Sequence, residues 1–315
     1  MANTIQINQL ATRTWNRLRV NAAEVEWDDA ATVQQPALRA ESAPGAHPEP
    51  VHLAIADSGA AYQCQPVEAE AAAGSVLTVY ETCTAAHPLA VQFRLTVREN
   101  AVLRLVQLFR PGVGAMLRHE TNAVCESGAK LELITILLGP GDVYADHCIE
   151  LNGDGSTLSS QIGYLGQHRQ IVDINLTVNH RGKKTESSIT AAGALMDEAQ
   201  KTFRGSIDFK KGSSDSVGSE NETVLLLGDG VVNKTVPLIL CAEENVDGSH
   251  GATIGGLDDD TRFYFESRGI GKAQAEAMMA RASVERLIRA AGNDAFAAQA
   301  AQALNEELLE EEDGE

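Results

Sequence analysis

The sequence predicts an all-β core followed by a helical C-terminal segment. Three observations carry this. Apolar and polar residues alternate with period two in "LAVQFRLTV", where Val91, Phe93, Leu95 and Val97 interleave with Gln92, Arg94 and Thr96. From Lys130 to Tyr264 short apolar runs succeed one another, each closed by Gly, Asn, Asp or Ser, with no helical heptad between them. After Arg268 the texture turns Ala-rich and takes up the helical period.

Taken in order, residues 1 to about 50 are mixed. A short helix is expected within Leu10–Val20. The stretch "QQPALRAESAPGAHPEP" reads as a linker or exposed loop, because Pro and Gly break regular structure. "SVLTVYETCTA" and "LAVQFRLTVRENAVLRLVQLF" read as strands. The repetitive middle follows, from "KLELITILLG" to "VDGSHGATIGGLDD". An all-β chain must close, sandwich or stack to hide its edges. Quasi-regular strand–turn units suit a solenoid, in which each rung buries its neighbour's apolar face. On pattern alone a sandwich stays open. In the C-terminal segment Ala277, Met278, Val284, Leu287 and Ile288 mark one helix face. Gly292-Asn293 breaks it, Asn293 or Asp294 can cap the next helix, and Phe296, Ala300, Leu304 and Leu308 form a second apolar face. The tail "EELLEEEDGE" is acidic and expected to fray. The implied division is a variable segment and linker over 1–60, a β core over 61–267 and helices with a tail over 268–315.

Composition narrows function. With 315 residues, 43% of them hydrophobic, the chain can bury a sizeable core as one large domain or two ordinary ones. Aromatics are only 4%, so Val, Leu, Ile and Ala must do the packing. A formal charge of -19 argues against nucleic acid as a partner, and the basic residues within Lys201–Lys211 make no stripe. The five cysteines (Cys64, Cys83, Cys125, Cys148 and Cys241) are widely spaced, with no CxxC pair, which fits a reducing compartment better than a disulfide framework. "MANTIQINQLATRTW" has no apolar signal core, and no apolar run is long enough to span a bilayer. The expectation is a cytoplasmic protein without membrane or nucleic-acid partners. The N-x-[ST] matches at Asn175, Asn221 and Asn233 are then chance.

Few residues offer chemistry. Asp142, Asp146, His147 and Cys148 cluster in sequence, but strand alternation turns His147 away from Asp146 and Cys148. "NGDGS" at 152–156 lacks the later ligands of a calcium loop and reads as a turn. "LLLGDGVVNK" lacks a phosphate-binding glycine pattern, so no nucleotide is expected on this chain, and without G-x-S-x-G a hydrolase elbow has no support. Cys241 and His250 remain. Thiolate and imidazole both suit iron, but two ligands do not complete a site. By spacing alone Cys241, in "VPLILCA", is buried core and His250 a turn or interface residue.

"ENVDGSHGATIGGLDDDTRFYFESRGIGKAQAEAMM" resembles the hallmark of the SufB/SufD family of iron–sulfur cluster assembly proteins. The likeness extends upstream through "VNHRGKKTESSITAAGALMDEAQKTFRGSIDF" and covers about Ile171 to Met279. It implies a right-handed parallel β-helix with C-terminal helices. It further implies pairing through the core as a homodimer or with a SufB/SufD-type subunit, binding of a SufC-like ABC ATPase by the helices, and delivery to cluster carrier proteins. His250 falls on the histidine proposed to serve assembly in the SufD version. Gly248 stands where a cysteine often precedes it, Gly251 where the SufB version has glutamate, and a residue near Val231 where SufB has its scaffold cysteine. The chain therefore looks closer to SufD, or to compact SufB/SufD-like proteins that work with SufC alone. The reading is a non-enzymatic assembly subunit holding an iron–sulfur cluster transiently. His250 is the expected metal ligand, in a turn beside the pairing interface, Cys241 a co-ligand, and Met278 and Leu287 the ATPase contacts. A purely structural subunit is the alternative. A β-helix enzyme using Asp258, Asp259 and Asp260 would leave the S-R-G-I continuation without a purpose.

Overall fold

The computed structural model describes residues 2–14 and 16–309. Among these, nineteen strands and three α-helices form. The first strands are β1 (Asn3–Ile7), β2 (Ala23–Trp27), β3 (Val33–Gln34), β4 (Leu38–Glu41), β5 (Val51–Ala56), β6 (Gln63–Ala71), β7 (Val76–Ala85), β8 (Leu89–Val97), β9 (Val102–Pro111) and β10 (Met116–Cys125). Then come β11 (Lys130–Leu137), β12 (Asp142–Leu151), β13 (Thr157–Gly166), β14 (Ile171–His180), β15 (Glu186–Leu195), β16 (Gln200–Phe209), β17 (Ser216–Leu226), β18 (Val232–Cys241) and β19 (Val246–Gly255). The helices are α1 (Asp259–Glu266), α2 (Lys272–Ala290) and α3 (Asp294–Leu309).

From β4 onward the strands alternate between two parallel sheets, β3 sharing the first sheet with β4. One is ordered β18-β16-β14-β12-β10-β8-β6-β3 with β4 also on β6, the other β19-β17-β15-β13-β11-β9-β7-β5. Consecutive strands thus lie in opposite sheets, and every second strand pairs. This is a β-solenoid, and the sandwich is set aside. Alternation does what the sequence implied: Val91, Phe93, Leu95 and Val97 all point into the lumen and are buried there. Parallel stacking needs each turn to repeat. On one corner Gly45, Gly74, Asn100, Gly128, Gly155, Lys184 and Asp215 all have positive φ, between 55 and 68°. Each donates its backbone N–H to a carbonyl of the following turn, at 2.7–2.9 Å. The left-handed conformation is cheap for Gly and tolerable for Asn or Asp. "NGDGS" is one of these turns.

Both outer faces are partly covered. The antiparallel β1–β2 ribbon lies on the first sheet, burying Ala23 and Val25 against Tyr144, and Trp27 against Cys64 and Ala90. Between its strands a single 3₁₀ turn, Asn16–Leu18, stands where a helix over Leu10–Val20 was expected. The segment is pinned instead by side chains: Asn8, at positive φ, donates to Ala145 O and Asp173 O. Within the Pro-rich stretch read as a loop, Gln34 and Leu38–Glu41 pair with β6 and the remainder is loop.

Helices α2 and α3 lie on the outer face of the second sheet. Their Val284, Leu287, Ile288, Phe296, Ala300, Leu304 and Leu308 pack with Val106, Ile134, Ile136 and Leu165. The apolar faces of both helices are thus largely satisfied by the solenoid's own exterior, and Leu287, expected as an ATPase contact, is buried against it. Tyr80 Oη donates to Ala291 O at 3.0 Å, and Asn293 Oδ1 caps α3 by accepting from Phe296 N at 3.0 Å. The end of the acidic tail, 310–315, lies outside the described residues.

Candidate functional site

Among the described residues, the last rung, β18 and β19, has strand neighbours on one side only. Strands deeper in the stack bury their inward residues, whereas β18 is half-buried between exposed ends and β19 is half-buried or exposed along its length. Register fixes which residues face the lumen, because partners in a parallel pair project from the same face. In β17, Ser216, Gly218, Glu220, Glu222 and Val224 are buried and alternate with more accessible residues. Glu220 pairs with His250 and Gly218 with Gly248. His250 therefore faces the lumen from its open end, in mid-strand and exposed, where the sequence reading expected a turn. Asp247, an odd number of residues away, faces outward and cannot orient it.

Cys241 ends β18 in register with the inward Phe209. It is exposed, contrary to its place in an apolar run, because no further rung among the described residues buries it. A Cβ at Gly248 would meet Ile239 Cγ2 at 3.0 Å and Phe209 Cε2 at 3.1 Å, which sets Gly248 level with Ile239. Cys241 then lies at the level of Val246, four residues from His250, or about 13 Å along the strand. The structure does not bring the two together. Nor, among the described residues, does it gather three or more His, Cys, Asp or Glu where they could hold a metal ion.

Behind this mouth lies a charged group whose members come from separate strands. Lys201 Nζ, fully buried, donates to Glu222 Oε1, and Thr235 Oγ1 donates to Glu222 Oε2 at 2.6 Å. Tyr164 Oη reaches Glu222 Oε1 at 3.3 Å. Glu220 lies beside this network. Burial, then the Glu222 carboxylate, pushes Glu220 up to about 7, with Lys201 pulling the other way. The signal was in the sequence: "GSENETV" puts two acids on the face of Val224, and "KTF" puts Lys201 on the face of Phe203.

The other candidates take structural places. His147 faces the lumen while Asp146 and Cys148 face out, as alternation requires. Neither His147 ring nitrogen has a hydrogen-bond partner among the described residues, and burial, then His119, holds its pKa down to about 3. Asp142 Oδ1 accepts from Ile171 N and Asp146 Oδ1 from Asn175 Nδ2, both at 2.8 Å; burial raises both acids. Asp258 caps α1 through Thr261 N, and Asp259 and Asp260 fill its first turn, where acids suit the helix dipole. Within Lys201–Lys211, Lys201 pairs with Glu222, Arg204 with Asp173 and Lys210 with Asp208. Leu287 is 1% exposed and sits where a Cβ at Gly163 would be 2.6 Å from its Cδ1. Met278 is 46% exposed, and on α1 Phe263 and Tyr264 are 72% and 52% exposed.

A family profile described as SUF system FeS cluster assembly, SufBD core domain, matches residues 54–283. The chain is 28% identical over 151 residues to the iron–sulfur cluster assembly protein SufD of Bacillus subtilis, covering 48% of this chain and 35% of that one. It is 25% identical over 229 residues to SufD of Escherichia coli, covering 72% and 51%. Against SufB of Bacillus subtilis the figures are 24% over 167 residues, 52% and 35%. The matches thus span between a third and a half of the relatives' own length.

Proposed function

Because the chain belongs to the SufBD core family of the SUF iron–sulfur cluster assembly system, we propose that it is a non-enzymatic assembly subunit that receives a nascent cluster at its last rung. The observation that carries this is His250, exposed at the mouth of the lumen on a rung that no strand among the described residues covers. The cluster is cargo. A neutral imidazole can ligate iron, and the remaining ligands come from a second copy of this chain or a SufB/SufD-type subunit. Pairing is favoured there because bare strand edges and the exposed Val217, Val232 and Ile254 would otherwise meet water. Cys241, on the same rung, is the one thiol that such a partner could approach.

A SufC-like ABC ATPase docks on the C-terminal helices, where Met278, Phe263 and Tyr264 stand exposed. Carrier proteins then take the cluster. The test is anaerobic reconstitution with the cognate ATPase, iron and sulfide, followed by transfer to an apo-carrier, for wild type, H250A and C241A. H250A is expected to fold and bind the ATPase yet to accumulate and pass on little cluster. Wild-type yield in H250A would make the histidine structural. Loss in C241A alone would move the chemistry to the thiol.

A further inference from the structure

Glu220 is the strand-register partner of His250 and faces the same lumen. Neighbouring strands are about 4.8 Å apart, so the two side chains leave the sheet within reach of one small ion. Glu220 is 2% exposed. Its carboxylate lies over Gly205, where a Cβ would be 2.1 Å from Oε2, so only glycine opposite leaves it room. It accepts no hydrogen bond from the described residues, and the nearby cation, Lys201, is committed to Glu222. A buried carboxylate without a partner is costly unless a proton or cation compensates it. The direction from which a cation can come is the open end, where His250 stands.

We propose that Glu220 is the second protein ligand of entering iron, so that one ferrous ion binds at the last rung between the Glu220 carboxylate and the His250 imidazole. Mixed nitrogen and oxygen donors suit a first-row divalent ion. Binding exchanges two water ligands for one nitrogen and one oxygen, releases to solvent the proton of any protonated Glu220, moves no electron, and leaves the remaining positions facing outward. The proposal rests on His250 facing iron and adds the residue that would hold the metal before sulfide arrives.

The test titrates the full chain anaerobically with Co(II), read by its visible absorption, and with Fe(II), in wild type, E220Q, E220D and H250A. E220Q and H250A are each expected to bind at least about tenfold more weakly, a loss near 1.4 kcal/mol, with E220D in between. In wild type labelled with ¹³C-glutamate, Co(II) should broaden the Glu220 carboxyl signal at one equivalent, which decides the matter should E220Q not fold. Wild-type affinity in E220Q with weakened H250A, or an unbroadened Glu220 signal, overturns the assignment and leaves His250 as the metal-facing residue. Unchanged affinity in H250A overturns the shared site and the metal role of His250 together.

Discussion

His147 and His180 sit in the lumen as neutral imidazoles, held down to about 3 and about 4 by burial, with Asp208 pulling His180 the other way. Unfolded, each would titrate near 6.5. Below that pH the unfolded chain binds more protons than the folded one. The stability is therefore fully present above about pH 6.5 and is lost as pH falls toward 4. The loss expected for His147 alone by pH 4 is on the order of 3 kcal/mol. Urea melts at pH 7.5, 5.5 and 4.5 should show a shallower decline in His147→Leu than in wild type; equal slopes would place the acid lability elsewhere. At this scale the sequence was legible where strand neighbours decide the outcome. The opposed faces of His147 and Cys148 followed from alternation alone. It failed at the chain's last rung, because the local pattern of "VPLILCA" cannot show that no strand covers it. His250 read as a turn because Gly248 and Gly251 flank it, yet both glycines lie in β19.

Leu287 seats α2 in the notch left by Gly163, and its role is packing onto the second sheet. Leu287→Ala is expected to cost about 2–4 kcal/mol in denaturant melts, whereas Met278→Asp should change stability by less than about 0.5 kcal/mol. If α1 and α2 carry the ATPase, Met278→Asp combined with Phe263→Asp should abolish co-purification without altering the melt. Undiminished co-purification would move the contact off these helices. The turns are as demanding. A Cβ at Gly153 would fall 1.9 Å from Ser127 N in the preceding turn, which is backbone and cannot swing aside. Gly153→Ala is expected to destabilise by at least about 2 kcal/mol, and a neutral variant would show that the stacked turns can part. The strands themselves were readable from period two. Whether they stack in parallel or form a sandwich was not, since both bury alternate residues. The turn-to-turn bonds from Gly45 to Asp215 impose the stack, and only the left-handed tendency of Gly, Asn and Asp hints at them in sequence.

For the whole molecule the question is which surfaces the chain leaves bare. The β1–β2 ribbon covers part of one outer face and α2–α3 part of the other, while the C-terminal rung stays open. Pairing through that rung predicts that Ile254→Asp with Val232→Asp lowers the mass seen by light scattering to one copy per particle, with little change in thermal stability. An undisturbed dimer would locate the interface elsewhere. The acidic lumen end behind His250 was missed because motif reading looks for residues near one another in sequence. Lys201, Glu220 and Glu222 meet only when strands stack. That iron is received at this mouth is tested most directly by pulsed electron–nuclear spectroscopy on the reduced, reconstituted complex built from chain labelled with ¹⁵N-histidine. A directly coordinated imidazole nitrogen should couple to the cluster in wild type and C241A and vanish in H250A. Absence of that coupling in wild type, or its persistence in H250A, would contradict it.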